Sequence, residues 1–289
     1  MDRVYLDGEF LPRDAACVPV TDRGLLFGDS VYEVIPAYGG VPFRLEQHLD
    51  RLERSLTAIR MSNPLTRAEW ERVIGELCRD CGGADRSVYL QVTRGAYPTR
   101  AHRIPESVQP SVIAFTAPIP ERDPRIPREG IAAITVPDIR WARCDIKATT
   151  LLPNILAQAE AVEKGAEDAI FLRDGLAMEG TASNLFIVLD GLLITPPNSH
   201  HTLPGITRDL VLELAREDGI PHAEAAIAEA ELRRATEIWL TSSTREVAPV
   251  VRLDGEAVGA GRPGPLWQRM DALYQAAKER IRLAARDRA

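Results

Sequence analysis

Lysine is rare in this chain, and one of its three lysines lies where an uncharged amine could do chemistry. The 289 residues contain 35 lysines and arginines together, of which only Lys147, Lys164 and Lys278 are lysine. A lysine amine can lose its proton and attack a carbonyl group, which an arginine guanidinium cannot do. Lys164 precedes a glycine at a predicted helix end, where a cation offsets the helix dipole, and Lys278 is predicted on the polar face of a C-terminal helix. Lys147 has no such structural explanation, although an ordinary surface lysine explains it equally well on composition alone.

Further groups in the sequence would complement such an amine if it held the aldehyde of a cofactor. Glu179 comes at the end of a predicted strand, and Arg51 follows His48 by three residues on the flank of a predicted helix. The segment 205–207 (Gly-Ile-Thr) begins another helix, whose backbone amides could bind an anion, and the segment 242–244 (Ser-Ser-Thr) offers hydroxyls. Pyridoxal phosphate needs a lysine at its aldehyde, a carboxylate at its pyridine nitrogen, and amides, hydroxyls and an arginine at its phosphate. Each signal alone has an ordinary explanation as a helix cap, a strand end or a solvated helix edge.

Taken together, six segments resemble the class IV aminotransferases, the fold-type IV enzymes that depend on pyridoxal phosphate. The most specific segments are 179–186 (Glu-Gly-Thr-Ala-Ser-Asn-Leu-Phe) and 203–208 (Leu-Pro-Gly-Ile-Thr-Arg). The resemblance extends over nearly the whole chain, and its other markers are Arg23-Gly-x-x-Phe27-Gly-Asp29, His48-x-x-Arg51-Leu52, Lys147 and Thr241-Ser-Ser-Thr244. It implies an enzyme with a ping-pong mechanism, in which an amino acid leaves as a keto acid and a second keto acid reverses the course.

The resemblance also implies roles for individual residues. Lys147 would form the Schiff base with the cofactor and transfer the α-proton, and Glu179 would face the pyridine nitrogen. The other implied cofactor ligands are Arg51, Ile206, Thr207 and Ser243 at the phosphate and Leu203 against the ring. The sequence departs from the pattern at Ala182, where a hydroxyl residue is often found, and this would loosen the network on the phosphate side.

Within the family, the chain looks most like the D-amino acid aminotransferases. Arg100-Ala101-His102 lies in a long polar loop and matches the Arg-x-His that binds the substrate carboxylate in those enzymes, together with a tyrosine that matches Tyr32. A guanidinium and an imidazole two residues apart can clamp a carboxylate. The resemblance implies a homodimer in which this loop reaches the partner's active site. The ordinary alternative is a solvated basic loop.

Other activities stay open at this point. A branched-chain L-amino acid aminotransferase or an (R)-amine transaminase would keep the cofactor residues and change the loops around Tyr32 and Arg100. A 4-amino-4-deoxychorismate lyase would use Lys147 to eliminate pyruvate without a second keto acid. A catalytically silent binding protein is a further class, against which the complete set of Lys147, Glu179 and Arg51 argues.

The order of predicted elements indicates how the chain is organised. Strands and helices mix without a strict βαβ rhythm, which favours an α+β fold. The segment 118–124 is rich in proline and charge, as linkers are. We therefore expect a small N-terminal α/β domain at residues 1–117, a linker at 118–124 and a larger C-terminal cofactor-binding domain at 125–289.

Composition excludes several classes of partner. The net charge of −7 argues against binding nucleic acid or anionic membranes by bulk electrostatics, and no apolar run is long enough for a membrane span. The sequence does not begin like a signal peptide, and its four cysteines fit a reduced cytoplasmic protein. Cys78-Arg79-Asp80-Cys81 is formally a CxxC motif, but it lacks a second pair, so we expect a helix end and no metal or redox site.

Overall fold

The computed structural model describes residues 3–286, and the chain divides into two compact units. The first unit contains the chain up to Pro120, then Ile146–Thr150, and then the chain from Lys278 onward. The second unit contains Glu121–Asp145 and Leu151–Ala277. Because the units are not continuous in sequence, the expected domains at residues 1–117 and 125–289 and the linker at 118–124 stay predictions.

The first unit is built on a six-stranded antiparallel sheet. Its strands are β1 (Arg3–Leu6), β2 (Glu9–Pro12), β3 (Ser30–Tyr38), β4 (Val41–Pro42), β5 (Arg86–Thr93) and β6 (Ser111–Pro118), in the order β2-β1-β6-β5-β3-β4. Its helices are α1 (Arg23–Phe27), α2 (Leu45–Ala58) and α3 (Arg67–Arg79). Leucines at helical spacing predict a buried stripe on α2, and this is confirmed, since Leu49, Leu52 and Leu56 are buried. A capping box between Thr66 and Glu69 begins α3.

The two faces of this sheet have different surroundings, and β3 shows this residue by residue. Val31, Glu33 and Ile35 are buried, whereas Tyr32 and Val34 between them are half-buried. Alternate strand residues point to opposite faces, so Glu33 lies on the face that packs against the helices. Tyr32 lies on the other face, where its ring stacks on Tyr89 at 5.8 Å between centroids. Strand β3 therefore carries polar groups on both faces.

The second unit contains a ten-stranded mixed sheet. Its strands are β7 (Ile131–Pro137), β8 (Asp168–Arg173), β9 (Leu176–Gly180), β10 (Asn184–Leu189), β11 (Leu192–Thr195), β12 (His222–Glu224), β13 (Ile227–Ala228), β14 (Glu237–Ser242), β15 (Glu246–Leu253) and β16 (Glu256–Ala257). The order is β12-β11-β10-β14-β15-β7-β8-β9-β13, with β16 beside β15. An additional pairing of β9 with β10 closes six strands into a ring. All six contribute to one buried cluster, which includes Ile170, Leu185 and Val250.

The helices of the second unit are α4 (Ile126–Glu129), α5 (Leu152–Glu163), α6 (Ile206–Glu217), α7 (Glu229–Arg234) and most of α8 (Pro265–Arg286). The mixture of helices with antiparallel and parallel strands confirms the predicted α+β class. Among the described residues, no helix is both long enough and apolar enough to cross a membrane.

Several local predictions were wrong. The glycines of the segment 21–29 predict a loop, but the structure has helix α1 there, whose N-cap Asp22 accepts a hydrogen bond from the backbone of Gly24. The sequence predicts a helix over 150–164 with Thr150 as its cap, but the N-cap residue of α5 is Leu151 and makes no side-chain cap hydrogen bond. Strand β15 was not predicted at all. Lys278 is buried with its Nζ 4.8 Å from the centre of the Tyr38 ring, and does not lie on a solvated helix face.

Candidate active site

Lys147 is held against β3 by its backbone. Its carbonyl accepts a hydrogen bond from the amide of Tyr32 at 3.0 Å, and its amide donates to Ser55 Oγ at 3.3 Å. The next residue, Ala148, forms an isolated bridge with Val31. The half-buried side chain places Nζ 4.3 Å from the centre of the Tyr32 ring. The structure thus brings together Lys147 and Tyr32, which are far apart in the sequence.

Arg51 lies in a buried charged network of the same unit. Its Nε and Nη2 each donate to one carboxylate oxygen of Glu33 at 2.7 Å, which is a bidentate contact. His48 Nδ1 lies 2.7 Å from Glu33 Oε2. Arg51, His48 and Glu33 are 3%, 1% and 0% exposed, which excludes the ordinary alternative of a solvated helix edge at His48 and Arg51.

Charge pairing explains the protonation states in this network. Burial by itself would raise the pKa of Glu33, but the charge and hydrogen bonds of Arg51 outweigh it and lower that pKa to about 2. Burial also lowers the pKa of His48, against the opposing effect of Glu33. At neutral pH the network therefore holds a carboxylate, a guanidinium and a neutral imidazole whose Nδ1 proton is donated to Glu33.

The proposed carboxylate-binding residues Arg100 and His102 lie on one aromatic ring. The guanidinium of Arg100 is 5.0 Å from the centre of the Phe27 ring, and the His102 ring meets Phe27 edge-on at 5.5 Å. Both side chains are exposed. Tyr32, the third residue of the expected clamp, contacts Lys147 and Tyr89 instead. Within one chain, Arg100 and His102 thus share a neighbour, and Tyr32 has different ones.

Glu179 lies at the centre of a network in the second unit. Arg140 Nη1 donates to Glu179 Oε1 at 2.5 Å. The other oxygen, Oε2, accepts from Asn184 Nδ2 at 3.1 Å and from the backbone amide of Leu203 at 3.0 Å. Arg140 also donates to Asp138 through Nε and Nη2 at 2.9 Å, so it bridges two acidic residues. These contacts fix the carboxylate of Glu179 in one orientation.

Burial favours a positive partner for Glu179. The side chain is 5% exposed, and this burial raises the pKa of Glu179, although the charge of Arg140 opposes the rise. A carboxylate with a raised pKa gains more from a nearby cation than a solvated one does, because water does not compete for it. A protonated ring nitrogen would be such a cation.

Asn184 connects Glu179 to the start of helix α6. Its Nδ2 also donates to the carbonyl of Leu203 at 2.8 Å. A Cβ atom on Gly205 would lie only 1.7 Å from Asn184 Oδ1, so glycine is required at that position. Gly205 is the N-cap of α6, and buried Ile206 and Thr207 follow it as the first helical residues. The structure thereby brings Glu179, Leu203 and the Gly-Ile-Thr segment into one place.

Further polar side chains of the second unit lie at Thr241, at Ser243 and in the turn after β9. Ser243 lies half-buried in the turn that follows β14. Thr241 pairs with Asn184 across two strands, and its buried hydroxyl has no hydrogen-bond partner among the described residues. Buried hydroxyl groups are nearly always bonded, so a polar partner is expected beside Thr241. Asp168 fixes the turn by accepting from the amide and hydroxyl of Thr181.

Sequence reasoning missed several residues of these networks, and Glu33, Asn184 and Arg140 show why. Glu33 carried a signal, because it occupies the same strand phase as the apolar Val31 and Ile35, where a carboxylate needs a buried cation. Asn184 was part of a recognised segment but had no assigned role. Arg140 lies in the loop before Lys147, and nothing in its spacing indicates that it contacts Glu179.

The protein family and the individual proteins that this chain resembles in sequence are all aminotransferases. The family model described as amino-transferase class IV matches residues 30–253. The D-alanine aminotransferase of Bacillus licheniformis is 40% identical over 275 residues, which cover 94% of this chain and 96% of that protein. The D-alanine aminotransferase of Staphylococcus haemolyticus is 38% identical, with 93% and 95% covered.

Solved structures are also similar. The branched-chain aminotransferase of Thermoproteus uzoniensis with norvaline superposes with a TM-score of 0.85 at 31% identity, covering 95% of this chain and 93% of that chain. The PLP-bound form of a hypothetical aminotransferase from Mycobacterium tuberculosis gives a TM-score of 0.83 at 26% identity, covering 95% and 98%.

Proposed function

Because this chain belongs to the class IV aminotransferase family, we propose that it transfers amino groups between D-amino acids and 2-oxo acids with pyridoxal 5'-phosphate as its cofactor. D-Alanine and D-glutamate are the expected donors, and pyruvate and 2-oxoglutarate the expected acceptors. The observation that carries the D-specific part is the 40% identity to a D-alanine aminotransferase over nearly the whole of both chains.

Residues of each unit fit this cofactor. When bound, pyridoxal phosphate supplies an aldehyde that condenses with amines and a ring that withdraws electrons. Lys147 is proposed to hold the aldehyde, and Glu179 the ring nitrogen. Arg51, Ile206, Thr207 and Ser243 would bind the phosphate, and Leu203 would lie against the ring. The unpartnered hydroxyl of Thr241 and the desolvated carboxylate of Glu179, both among the described residues, support the fit, since both gain a partner from a polar ligand.

The chain's own groups account for proton transfer. The amine of Lys147 is proposed to remove the α-proton of the amino donor. In the second half of the reaction it would deliver a proton to the α-carbon of the acceptor. The fixed backbone of Lys147 along β3 keeps this amine in one place. Glu179 keeps a positive charge at the ring nitrogen, and Arg140 holds the Glu179 carboxylate in orientation. Transfer proceeds by a ping-pong mechanism, because the first keto acid leaves before the second binds.

Stereochemistry follows from where the substrate carboxylate is held. Arg100, His102 and Tyr32 are proposed to bind it, which leaves the α-hydrogen of one enantiomer directed at Lys147. The clamp thus distinguishes enantiomers without contacting the substrate side chain.

A homodimer belongs to the proposal, with Arg100 and His102 acting in the partner's active site. Helix α5 supports it. Its Leu152, Ile155, Leu156 and Val162 are 54–65% exposed, so the stripe that an amphipathic helix normally buries is open to solvent. A second copy would cover such a surface. The four free thiols support the cytoplasm as the proposed location.

The branched-chain L-amino acid aminotransferases are the second candidate, because solved members superpose closely. One experiment separates the two activities. Purified holoenzyme is assayed with D-alanine, D-glutamate, L-leucine and L-glutamate as donors and 2-oxoglutarate or pyruvate as acceptor. We expect turnover with the D-amino acids. A preference for L-leucine or L-glutamate would overturn the D-specific proposal and leave the family assignment standing.

A further inference from the structure

The segment Arg23-Gly-x-x-Phe27-Gly-Asp29 has no role in the proposed chemistry, although it is one of the family markers. It forms helix α1 and the turn after it, where Gly28 adopts the left-handed conformation at φ 64°. A Cβ atom on Gly28 would also lie 2.5 Å from Thr150 Cγ2. Both the backbone conformation and the lack of space therefore favour glycine at this position. Such a tightly specified short helix needs an explanation.

Its side chains contact the loop that carries Arg100 and His102. Arg23 Nη1 donates to the carbonyl of Ala101 at 2.7 Å, and Ala101 is the residue between the two clamp side chains. The Phe27 ring lies 5.0 Å from the Arg100 guanidinium and 5.5 Å from the His102 ring. Arg23 also lies over Phe27, at 4.8 Å. One backbone contact and two ring contacts therefore join α1 to this part of the loop.

A largely buried charged cluster holds Arg23 in position for this contact. Asp29 Oδ2 accepts from Arg23 Nε at 2.9 Å and from Arg94 Nε at 2.8 Å. Burial would raise the pKa of Asp29, but these two arginines lower it, so Asp29 stays ionised at neutral pH. Arg94 continues to the carbonyl of Ile59 at the end of α2, at 2.6 Å. The cluster thus ties α1 to the body of the first unit.

The loop is also closed at its base. The amide of Arg23 donates to the carbonyl of Gly95 at 2.9 Å. Gly95 has φ 93°, and a Cβ atom there would lie 1.9 Å from the carbonyl oxygen of Gln109. The two ends of the loop therefore meet at a point only glycine can occupy. With the base closed and Ala101 fixed, little freedom is left to the segment between them.

We propose that α1 is the support of the substrate-carboxylate clamp: Arg23 fixes the loop backbone at Ala101, and the Phe27 ring fixes the directions of Arg100 and His102. This inference rests on the proposed function, because it assumes that Arg100 and His102 bind the substrate carboxylate. Arg23, Phe27 and Asp29 are positioning residues. Ordering two exposed, rotatable side chains in advance removes an entropic cost from substrate binding.

The test compares Phe27→Leu with Phe27→Tyr in the holoenzyme. Leucine keeps an apolar side chain of similar bulk but has no aromatic face, whereas tyrosine keeps the face. An exposed cation–π contact corresponds to about a threefold to fivefold change in binding. We expect Phe27→Leu to raise KM for D-alanine and 2-oxoglutarate by about that factor, with kcat and cofactor absorbance unchanged. Phe27→Tyr should behave like the wild type, and so should Leu25→Ala on the exposed side of α1.

A mutant cycle distinguishes this inference from the proposed function. In an Arg100→Ala, His102→Ala background, Phe27→Leu should change KM no further. If Arg100→Ala raises KM but Phe27→Leu does not, α1 is not the support and the inference is overturned while the clamp stands. If Arg100→Ala leaves KM unchanged, the clamp itself is wrong and this inference falls with it. Loss of the cofactor absorbance band in Phe27→Leu would also overturn it, since α1 would then support the cofactor.

Discussion

Glu33 shows how one buried carboxylate can organise two basic side chains. Its carboxylate accepts two hydrogen bonds from Arg51 and one from His48 Nδ1, and Glu33 has no exposed surface. Removing one partner of a buried pair is costly because the other is left charged and unsolvated. Glu33 therefore lets Arg51, the proposed phosphate ligand, stay buried as a cation.

The first prediction concerns the stability that this pair supplies. The pKa of Glu33 is about 2 in the folded chain against an ordinary value of 4.5, so its contribution is complete above pH 4.5 and is lost as pH falls toward 2. We expect Glu33→Gln to reduce the free energy of unfolding by about 3 kcal/mol at pH 7. Urea denaturation at about pH 7, 5 and 3.5 should show the same difference from wild type at the first two values and a smaller one at the third. A difference that grows on acidification would contradict the assigned charge state.

The second prediction concerns the choice among the three lysines. Lys164 is exposed and paired with Glu160 at 2.7 Å, and Lys278 is buried against Tyr38, so only Lys147 offers a half-buried amine beside a candidate substrate-binding residue. Borohydride should fix the cofactor covalently to wild type and to Lys164→Ala, but not to Lys147→Ala. Mass spectrometry of the reduced peptides reads the result. A label on Lys164 or Lys278 would show that Lys147 is not the cofactor lysine.

At the scale of elements, sequence periodicity predicts those helices and strands that depend on residues nearby in the chain. Leucines at helical spacing predict α2, Thr66 is the predicted start of α3, and the turn residues 7–8 predict the hairpin of β1 and β2. All three predictions depend on neighbours within a few residues, and all three are confirmed. The first hairpin turns at Asp7 and Gly8, which have positive φ angles as a two-residue turn requires.

Elements whose environment is set by distant parts of the chain were predicted less well. The spacing of Leu152, Ile155, Leu156 and Ala159 predicts an apolar stripe on α5. It does not predict the exposure of that stripe, since periodicity says which residues share a face and not what covers that face. The burial of His48 and Arg51 depends on Glu33, which lies on a strand outside their helix. Strand β15 is buried on both faces, so it lacks the alternation that indicates a strand.

The third prediction tests how closely α6 must approach β10. Gly205→Ala would place a Cβ atom 1.7 Å from Asn184 Oδ1 and force apart the contacts between Glu179, Asn184 and Leu203. We expect overpacking to lower the free energy of unfolding by about 1–3 kcal/mol and to weaken cofactor retention. The matched control is Gly75→Ala within α3, where the nearest atom is 3.6 Å away and alanine should stabilise the helix by about 0.5–1 kcal/mol. Thermal melts should show a lower midpoint for Gly205→Ala and a higher midpoint for Gly75→Ala than for the wild type. Cofactor titration measures how well each variant retains the cofactor. Equal retention of the cofactor in both would argue against a role for the start of α6.

At the scale of the whole molecule, two exposed features are compatible with the proposed homodimer. Leu152, Ile155, Leu156 and Val162 form an aliphatic stripe on a helix that begins shortly after Lys147 in the sequence. Contiguous apolar surface of this kind is rare on monomers and common at subunit contacts. The clamp loop is also exposed at Arg100 and His102. Both features agree with the proposed homodimer in which each chain completes its partner's site.

The last prediction tests that exchange directly by mixing two variants, one with impaired substrate binding and one without the catalytic amine. Arg100→Ala keeps Lys147 but lacks the clamp, and Lys147→Ala keeps the clamp but lacks the amine. If the loop acts in the partner's site, a mixed dimer has one site with an intact Lys147 and an intact Arg100, and its other site lacks both. Random mixing would make half of the dimers mixed, so about a quarter of all sites should recover wild-type turnover with D-alanine. If the loop acts within its own chain, every site in the mixture lacks one of the two residues and no activity returns. Unfolding and refolding the variants together, with each refolded alone as control, decides between the two arrangements.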